Sequence, residues 1–229
     1  MTTRTRTRPV IAIDGPAGAG KSTVALKLAQ RLGFVLVDTG ALYRGVALAA
    51  RERGTAWTDG PALGALTARL DLRFAASETG APSLLIDGKD RSAEIRSPEI
   101  SMGASDVSKH AEVRAALLEL QRRLGQDGGV VLEGRDIGTV VFPDAEAKVF
   151  LTAADQTRAD RRVRELAGRG VQADFAKTLE EIRARDAQDQ GRAVAPLRPA
   201  DDAILVDTTA MDIDLVVTRL AEIARGKGA

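Results

Sequence analysis

Residues 13–23 read IDGPAGAGKST, and they indicate the class of fold before any other part of the chain does. Gly15 is followed by four residues and then by Gly20, Lys21 and Ser22, which is the spacing of a loop that binds phosphate groups. Its glycines let backbone N–H groups converge on phosphate oxygens at the positive end of a helix. We therefore expect a bound nucleoside triphosphate, with Lys21 at its β- and γ-phosphates and Ser22 at Mg²⁺. The predicted triphosphate-binding residues are Gly15, Pro16, Ala17, Gly18, Ala19, Gly20, Lys21, Ser22 and Thr23.

The residues on either side of this loop have the patterns of a buried strand and a helix. VIAID, just before it, is a short apolar run, and KSTVALKLAQRLG, just after it, has Val24, Leu28 and Leu32 at helical spacing. Gly33 is suited to end that helix. A chance glycine-rich turn is the alternative, and this strand–helix context argues against it.

Apolar runs and helical patterns alternate along most of the chain. The runs VIAID, FVLVD, GGVVLE, AKVFLTA and AILVD predict five strands, and helices between them predict a parallel sheet of the α/β class. The alternation breaks from about residue 61 to residue 98. There LDLRFA and SLLIDGKDRS, with an Asp87–Gly88 turn signal, predict a small antiparallel insert. Residues 107–125, VSKHAEVRAALLELQRRLG, predict one long helix.

The composition excludes several classes of function. Lys plus Arg number 33 against 32 for Asp plus Glu, so no overall charge favours nucleic acid or a membrane surface, and we expect neither as a partner. The absence of Cys and the presence of a single His exclude thiol chemistry and histidine metal sites. Of the basic residues 26 are Arg, which reflects either codon bias or a site for planar anions.

The beginning of the chain, MTTRTRTRP, lacks the apolar stretch of a signal peptide, and no apolar run has the length of a membrane span. We expect a cytoplasmic protein with a disordered basic tail over residues 1–8.

Charged residues at predicted strand ends are candidates for a second anion site, because open α/β sheets bind ligands there. Arg44 lies in the first turns of the helix after FVLVD, and a solvated surface position is the alternative for it. Glu133, Arg135 and Asp136 follow another strand. Glu133, directly at the strand end, suits a metal best, through water, and an Arg–Asp pair that holds the loop is the alternative for the other two.

Two helical arginine groups complete the candidates. Arg185, Asp189 and Arg192 are spaced so that a helix would place them on one face, where they form either a ligand site or a surface ladder of ion pairs. Arg158, Arg161 and Arg162 lie within about one turn and would repel each other. They form either a solvated face or a lid that closes on the triphosphate.

Phosphate-binding loops occur in signalling switches as well as in kinases. A GTP-dependent switch would normally recognise guanine through an Asn-Lys-x-Asp stretch, and this chain contains no Asn. A kinase for a small acceptor agrees better with the additional anion sites.

In combination, these stretches resemble the bacterial cytidylate kinase (CMP kinase) family over almost the whole chain. The resemblance is carried by IDGPAGAGKST, DTGALYRG, SAEIRSPEI, GRDIGTVVFPDA and RAVAPL, in that order. It implies a nucleoside monophosphate kinase fold: a five-stranded parallel sheet flanked by helices, with an antiparallel insert that binds the monophosphate and a short helical lid. The implied boundaries are a single kinase domain over 9–229, with the insert at 61–105 and the lid at 154–170.

The resemblance also implies ligands and roles. The γ-phosphoryl group of ATP would pass, with Mg²⁺, to CMP and also to dCMP in a monomeric enzyme; a kinase for another small acceptor such as UMP is the alternative. The implied catalytic residues are Lys21, Arg44, Arg135, Arg158, Arg162 and Arg192. The implied CMP-binding residues are Thr39, Tyr43, Arg44, Ser105, Arg114, Arg135, Asp136, Arg185, Asp189 and Arg192. The implied metal-binding residues are Ser22 and, through water, Glu133.

Overall fold

The computed structural model describes residues 6–77, 80–168 and 170–229. It divides into two compact units, Met1–Phe34 with Gly128–Ala229 and Val35–Asp127, which we call the first and second units. The strands are β1 (Val10–Asp14), β2 (Val35–Asp38), β3 (Leu72–Ala75), β4 (Ser83–Ile86), β5 (Lys89–Asp90), β6 (Val130–Glu133), β7 (Ala147–Thr152) and β8 (Ile204–Asp207). The α-helices are α1 (Lys21–Leu32), α2 (Thr39–Glu52), α3 (Gly60–Thr67), α4 (Pro98–Val107), α5 (Ala111–Gly125), α6 (Asp155–Ala167), α7 (Phe175–Gln190) and α8 (Ile213–Arg225).

The main sheet has five strands in the order β2-β6-β1-β7-β8. Strand β1 is central and pairs in parallel with β6 on one side and β7 on the other. Every residue of β1 and β6 is buried, as expected for strands covered on both faces. The predicted α/β class and its five-stranded parallel sheet are confirmed.

Helix α1 forms as the sequence predicts. Val24 and Leu28 are fully buried on one face, and the helix ends at Gly33, whose φ of 61° is in the left-handed region that favours glycine. The helix begins at the phosphate-binding loop, so its first turn of N–H groups faces the residues that carry the motif. The order strand–loop–helix is therefore what positions the site.

The second unit contains the predicted antiparallel insert. Strands β3, β4 and β5 form a separate three-stranded sheet with antiparallel pairing. Asp87 and Gly88 have φ values of 50° and 79°, which is the left-handed pair typical of a tight hairpin turn. The same region also contains α3 and α4, two helices that the sequence pattern had not predicted.

The single long helix predicted over residues 107–125 is wrong. Helix α4 ends at Val107 and α5 begins at Ala111. His110 interrupts the pattern, because it has the extended backbone conformation of an N-cap and its Nε2 lies 2.9 Å from the carbonyl oxygen of Trp57. The contact of His110 with Trp57, which is distant in the sequence, therefore stabilises a break between α4 and α5 that the spacing of apolar residues does not show.

Two arginines near the beginning of the chain have defined contacts. Arg6 pairs with Asp144 and Glu146, and Arg8 donates to the carbonyl oxygens of the last residues of α1, Leu32 and Gly33. Residues 1–5 of the predicted tail lie outside the described residues. In the part of the chain that the structure describes, no helix is both long and apolar enough to cross a membrane.

Candidate active site

The backbone of the phosphate-binding loop has the conformation that its glycines predict. Gly15, Gly18 and Gly20 have φ values of 147°, 75° and 87°, which residues with a side chain rarely adopt. At Gly15 a Cβ atom would also overlap the carbonyl oxygen of Leu151 in β7. Gly20 caps α1 without a side-chain hydrogen bond, so the N–H groups of the first turn stay directed at the loop.

Lys21 is folded back onto this loop. Its Nζ donates to the carbonyl oxygen of Pro16 at 2.7 Å, and the residue is only 7% exposed. Burial is the main cause that lowers the pKa of Lys21 well below its ordinary value; Arg135 and Arg185 lower it further, and Glu133 raises it. A phosphate bound next to Lys21 would favour the charged form of the side chain. The charged side chain would in turn bind the phosphate more tightly.

Ser22 and Glu133 supply two oxygen atoms at the start of α1. Ser22 Oγ donates to Glu133 Oε2 at 2.9 Å, and Glu133 is buried at the end of β6. Hydroxyl and carboxylate oxygens are ligands that Mg²⁺ prefers. Among residues 6–77, 80–168 and 170–229, no group of three or more His, Cys, Asp or Glu is arranged to hold a metal ion. By the type of their oxygen atoms, Ser22 and Glu133 fit such an ion.

A buried carboxylate brings two of the predicted phosphate-binding arginines together. Asp189 Oδ2 accepts from Arg135 Nε at 2.9 Å, and Asp189 Oδ1 pairs with Arg192. Burial would raise the pKa of Asp189, but Arg135 and Arg192 outweigh it, and the pKa is lowered. Asp189 is thus ionised between two cations. Arg185 also acts electrostatically on Lys21, as do Arg135, Glu133 and Asp14, so groups of both signs surround Lys21.

Asp136 lies in a loop that a second buried carboxylate anchors. Asp14, the last residue of β1, accepts from the backbone N–H groups of Ile137 and Gly138, both at 2.8 Å. These residues begin a single π-helical turn, Ile137–Val141, whose N-cap is Asp136. Burial raises the pKa of Asp14 to about 6, although the two N–H groups act in the opposite direction. The sequence analysis gave Asp14 no role; its position, a polar residue at the end of a buried strand, was the available signal.

Arg158 occupies the first turn of α6 and is 6% exposed. It donates to the carbonyl oxygen of Ala153 from Nε and to that of Ala17, in the phosphate-binding loop, from Nη1, both at 3.0 Å. Its Nη2 pairs with Asp186 at 2.5 Å. The anion that lies against Arg158 in this structure is therefore a carboxylate of α7, a partner that the sequence analysis did not identify.

The other two arginines of this group differ from each other. Arg161 binds the buried Thr208 twice, through Nη1 to its Oγ1 and through Nη2 to its carbonyl oxygen. Arg162 pairs with Glu165 one turn further along the helix, and its side chain is 31% exposed. Arg158, in the first turn of α6, and Arg161 are thus held by contacts beyond the helix, whereas Arg162, one turn after Arg158, pairs with a residue of the helix itself.

The second unit carries the remaining predicted residues, mainly on α2. Arg44 Nη2 pairs with Asp38 Oδ2 at 2.6 Å, and Asp38 also caps α2 by accepting from the backbone N–H of Ala41. The guanidinium group of Arg114, on α5, lies 5.6 Å from the centre of the Tyr43 ring. Thr39 begins α2 and Ser105 lies on α4.

Within each unit, the structure brings some predicted residues together. In the first unit Arg135, Asp189 and Arg192 are in contact, and in the second unit Tyr43 and Arg114 are. Arg185 and Asp136 belong to the first unit, whereas Thr39, Arg44 and Ser105 belong to the second.

Comparison with known proteins identifies the family. Residues 11–226 match the family model described as cytidylate kinase. The cytidylate kinase of Syntrophotalea carbinolica is 52% identical over 214 residues, which cover 93% of this chain and 91% of that protein. The cytidylate kinase of Pseudomonas paraeruginosa is 50% identical over 210 residues, which cover 91% and 92%.

Among solved structures, an uncharacterized protein from Eubacterium ventriosum ATCC 27560 covers 96% of this chain and 99% of its own, with a TM-score of 0.52 and 14% identity. That likeness concerns the fold alone. The family model and the relatives, in contrast, extend over almost the whole chain, including every motif on which the predicted resemblance depends. We conclude that this chain belongs to the cytidylate kinase family.

Proposed function

We propose that the protein transfers the γ-phosphoryl group of ATP to CMP, and to dCMP, to give ADP and CDP or dCDP. The observation that carries this proposal is the buried cluster of Arg135, Asp189 and Arg192 in the same unit as the phosphate-binding loop. Two cations share one carboxylate there, so the cluster keeps a net positive charge that a second phosphate can neutralise. A protein that only bound and hydrolysed a triphosphate would not need this second anion site.

The chemistry requires positioning and charge neutralisation more than acid–base catalysis. A monophosphate is already largely a dianion at neutral pH, because its second pKa is about 6. The difficulty is to bring two anions into line, and cationic side chains reduce their repulsion. Lys21 serves the β- and γ-phosphates, and Arg44, Arg135 and Arg192 hold the phosphate of CMP, with Thr39 and Tyr43 beside it. The other proposed contacts of the phosphate-binding loop are made by Gly15, Pro16, Ala17, Gly18, Ala19, Gly20 and Thr23.

Mg²⁺ would be held by Ser22 and, through water, by Glu133. When bound, it supplies positive charge next to the β- and γ-phosphate oxygens. The direct hydrogen bond between Ser22 and Glu133 keeps both oxygen atoms on the same side of the start of α1.

Recognition of the base is assigned to Asp136, with Ser105 and Arg114, and recognition of the ribose to Arg185 and Asp189. A carboxylate accepts a hydrogen bond from the exocyclic amino group of cytosine. Uracil places a carbonyl oxygen at that position, and its lone pair would face a negative charge. A site built for one hydrogen-bond pattern can reject its isostere by up to about 10⁴-fold.

We further propose that residues 61–105 form the monophosphate-binding insert and residues 154–170 the lid that carries Arg158 and Arg162. Their closure would exclude water and limit hydrolysis of ATP. A monomer is proposed, because each assigned role is filled by a residue of this one chain; size-exclusion chromatography with light scattering tests it.

The test of the function is ADP release from ATP and Mg²⁺ in the presence of CMP, dCMP, UMP, AMP, GMP or shikimate. We expect rapid release with CMP and dCMP, much slower release with UMP, and background rates with the others. Equal rates with UMP and CMP would contradict the role of Asp136. Tight binding of GTP without any acceptor-dependent release would indicate a switch instead of a kinase.

Two arginines of α2 make a matched pair of variants for the same assay. Arg44→Ala should lose most CMP-dependent release, whereas Arg51→Ala removes only an exposed ion pair with Glu99 and should behave like the wild type. Equal activity of the two variants would remove Arg44 from the site.

A further inference from the structure

Asp186 lies on α7 and has no role in the proposed reaction, yet it contacts a residue that does. Its Oδ2 lies 2.5 Å from Arg158 Nη2, and the two side chains are 15% and 7% exposed. The same guanidinium group donates to the carbonyl oxygen of Ala17 in the phosphate-binding loop. Asp186 is therefore connected to the phosphate-binding loop through a single residue, Arg158.

The contacts of Arg158 leave part of its guanidinium group available. An arginine has five N–H donors in a rigid plane. Within residues 6–77, 80–168 and 170–229, three acceptors lie around them: the carbonyl oxygens of Ala153 and Ala17 and the carboxylate of Asp186. These three acceptors fix the plane and direction of the group, and one N–H on each Nη remains for an anion.

The other oxygen of Asp186 indicates that this arrangement is costly. Asp186 Oδ1 is buried and has no hydrogen-bond partner among the described residues. An unsatisfied buried acceptor disfavours folding. Buried polar atoms without a hydrogen-bond partner are rare in native proteins, and they are found preferentially at functional sites.

A second ion pair joins the same two helices and provides a comparison. Asp155, three residues before Arg158 on α6, pairs at 2.5 Å with Arg183, three residues before Asp186 on α7. The charges are reversed, so each helix contributes one acid and one base. This second pair is more exposed, at 27% and 56%, and the structure shows no contact between it and the phosphate-binding loop.

We infer that Asp186 is a positioning residue for phosphoryl transfer: through its ion pair with Arg158 it holds that guanidinium group against the phosphate-binding loop, in the orientation that receives the triphosphate. The inference rests on the proposed function. The first turn of α6, the part of the proposed lid that carries Arg158, accordingly lies against the phosphate-binding loop. The close approach of Gly18 to α6 agrees with this, because a Cβ atom there would lie 3.1 Å from Arg158 Cβ.

A double-mutant cycle tests the inference. We expect Asp186→Asn to lower kcat for CMP about 10- to 100-fold, with a much smaller change in KM for CMP. Arg158→Ala should lower kcat at least as much, and the double variant should match Arg158→Ala within about twofold, because Asp186 acts only through Arg158. Asp155→Asn, the matched control, should stay within about twofold of the wild type. Wild-type turnover of Asp186→Asn, or additive losses in the double variant, would overturn the inference.

Charge-retaining variants cover the case in which Asp186→Asn does not fold. Asp186→Glu lengthens one partner and Arg158→Lys shortens the other, so we expect the combined variant to recover turnover that each single variant loses. No recovery would count against an ion pair as the operative contact.

Hydrogen exchange separates a failure of this inference from a failure of the proposed function. Backbone amides of residues 155–160 should exchange faster in Asp186→Asn than in the wild type, and less so in Asp155→Asn. If the wild type shows no CMP-dependent ADP release, the proposed function fails, and unchanged exchange in Asp186→Asn would independently overturn the positioning role.

Discussion

The first and second turns of helix α6 each carry an arginine, and the two arginines have contrasting environments. Arg158, in the first turn, is 7% exposed in its side chain and has three acceptors around it. Arg162, one turn later, is 31% exposed and pairs with Glu165 of its own helix. An exposed ion pair of this kind contributes little to the position of either side chain, whereas several buried contacts define it.

This difference separates two roles that the clustering of charge had suggested for the group as a whole. A fixed cation next to the phosphate-binding loop contributes charge without having to move. Arg162, whose ion pair lies within the helix, would act on the triphosphate through movement of the helix. We therefore expect Arg158→Ala to affect the reaction strongly and Arg162→Ala to affect it weakly.

The largest effect is expected from Arg158→Ala compared with Arg162→Ala. Loss of a preorganised cation at a phosphoryl-transfer site should lower kcat about 10²- to 10³-fold, while Arg162→Ala should lower it about tenfold or less. Both should change kcat more than KM for CMP. Steady-state rates at saturating ATP, with melting temperatures as the control for folding, measure this; equal losses would remove the distinction between Arg158 and Arg162.

The second prediction compares the buried carboxylate of Asp14 with the more exposed one of Asp155. It concerns how the contribution of each to the free energy of unfolding depends on pH. Asp14 has its pKa raised by burial from 3.8 to about 6, so the folded state binds its proton more tightly than the unfolded state does. The contribution of Asp14 to stability is therefore fully present below pH 3.8 and is lost as pH rises through about 6. The difference in unfolding free energy between the wild type and Asp14→Asn should fall by about 3 kcal/mol over that range.

Denaturant unfolding between pH 3.5 and pH 7, in steps of about half a unit, measures this difference. Asp155→Asn is the exposed control. Its ion pair with Arg183 is the main cause that lowers the pKa of Asp155, so any pH dependence there has the opposite sign. A constant difference between the wild type and Asp14→Asn would contradict the assigned effect of burial.

The third effect compares two glycines with the same backbone conformation. Gly18, beside Arg158, and Gly170, beyond the end of α6, both have a φ of 75°. A Cβ atom at Gly18 would meet Arg158 at 3.1 Å, whereas at Gly170 no described atom lies within 4 Å. Each alanine should cost about 1–2 kcal/mol for the left-handed backbone, but only Gly18→Ala should cost more than that and also lower kcat. Equal stability and equal turnover of the two variants would show that the first turn of α6 has room to adjust.

The smallest effect is expected at the ion pair of Arg162 and Glu165. Glu165→Gln removes the charge that pairs with Arg162 three residues away. The free energy of unfolding should change by less than about 0.5 kcal/mol, and kcat should stay within about twofold of the wild type. A larger loss of turnover would mean that Arg162 is as finely positioned as Arg158.

Local sequence patterns were sufficient for most of the main sheet and for the phosphate-binding loop. Buried strands such as β1 and β6 are apolar up to their last residue, and the turn at Asp87 and Gly88 depends on two adjacent residues that tolerate a left-handed backbone. In the same way Gly33 ends α1 because it can adopt a positive φ without strain. Such features depend on a few neighbouring residues, so a single sequence reveals them.

The features that the sequence did not reveal depend on residues far apart in the chain. The environments of Arg158 and Arg162 differ because Asp186 of α7 pairs with Arg158, whereas Arg162 pairs with Glu165 of its own helix. The break before α5 follows from the contact of His110 with Trp57. Asp14 anchors its loop by a hydrogen bond to Ile137, which lies 123 residues further along the chain. The spacing of residues along the chain does not show which distant residues come into contact in the folded protein.

The carbonyl oxygen of Leu151 occupies the space that any side chain at position 15 would need. Glycine at that position is therefore required by the way β7 passes the end of β1, whether or not a nucleotide binds. A descendant of this protein that had lost catalysis would still be under selection to keep Gly15 for as long as it kept the sheet. When degenerate copies are screened for activity, retention of Gly15 is accordingly weak evidence, and substitutions at Lys21 or Arg158 are more informative.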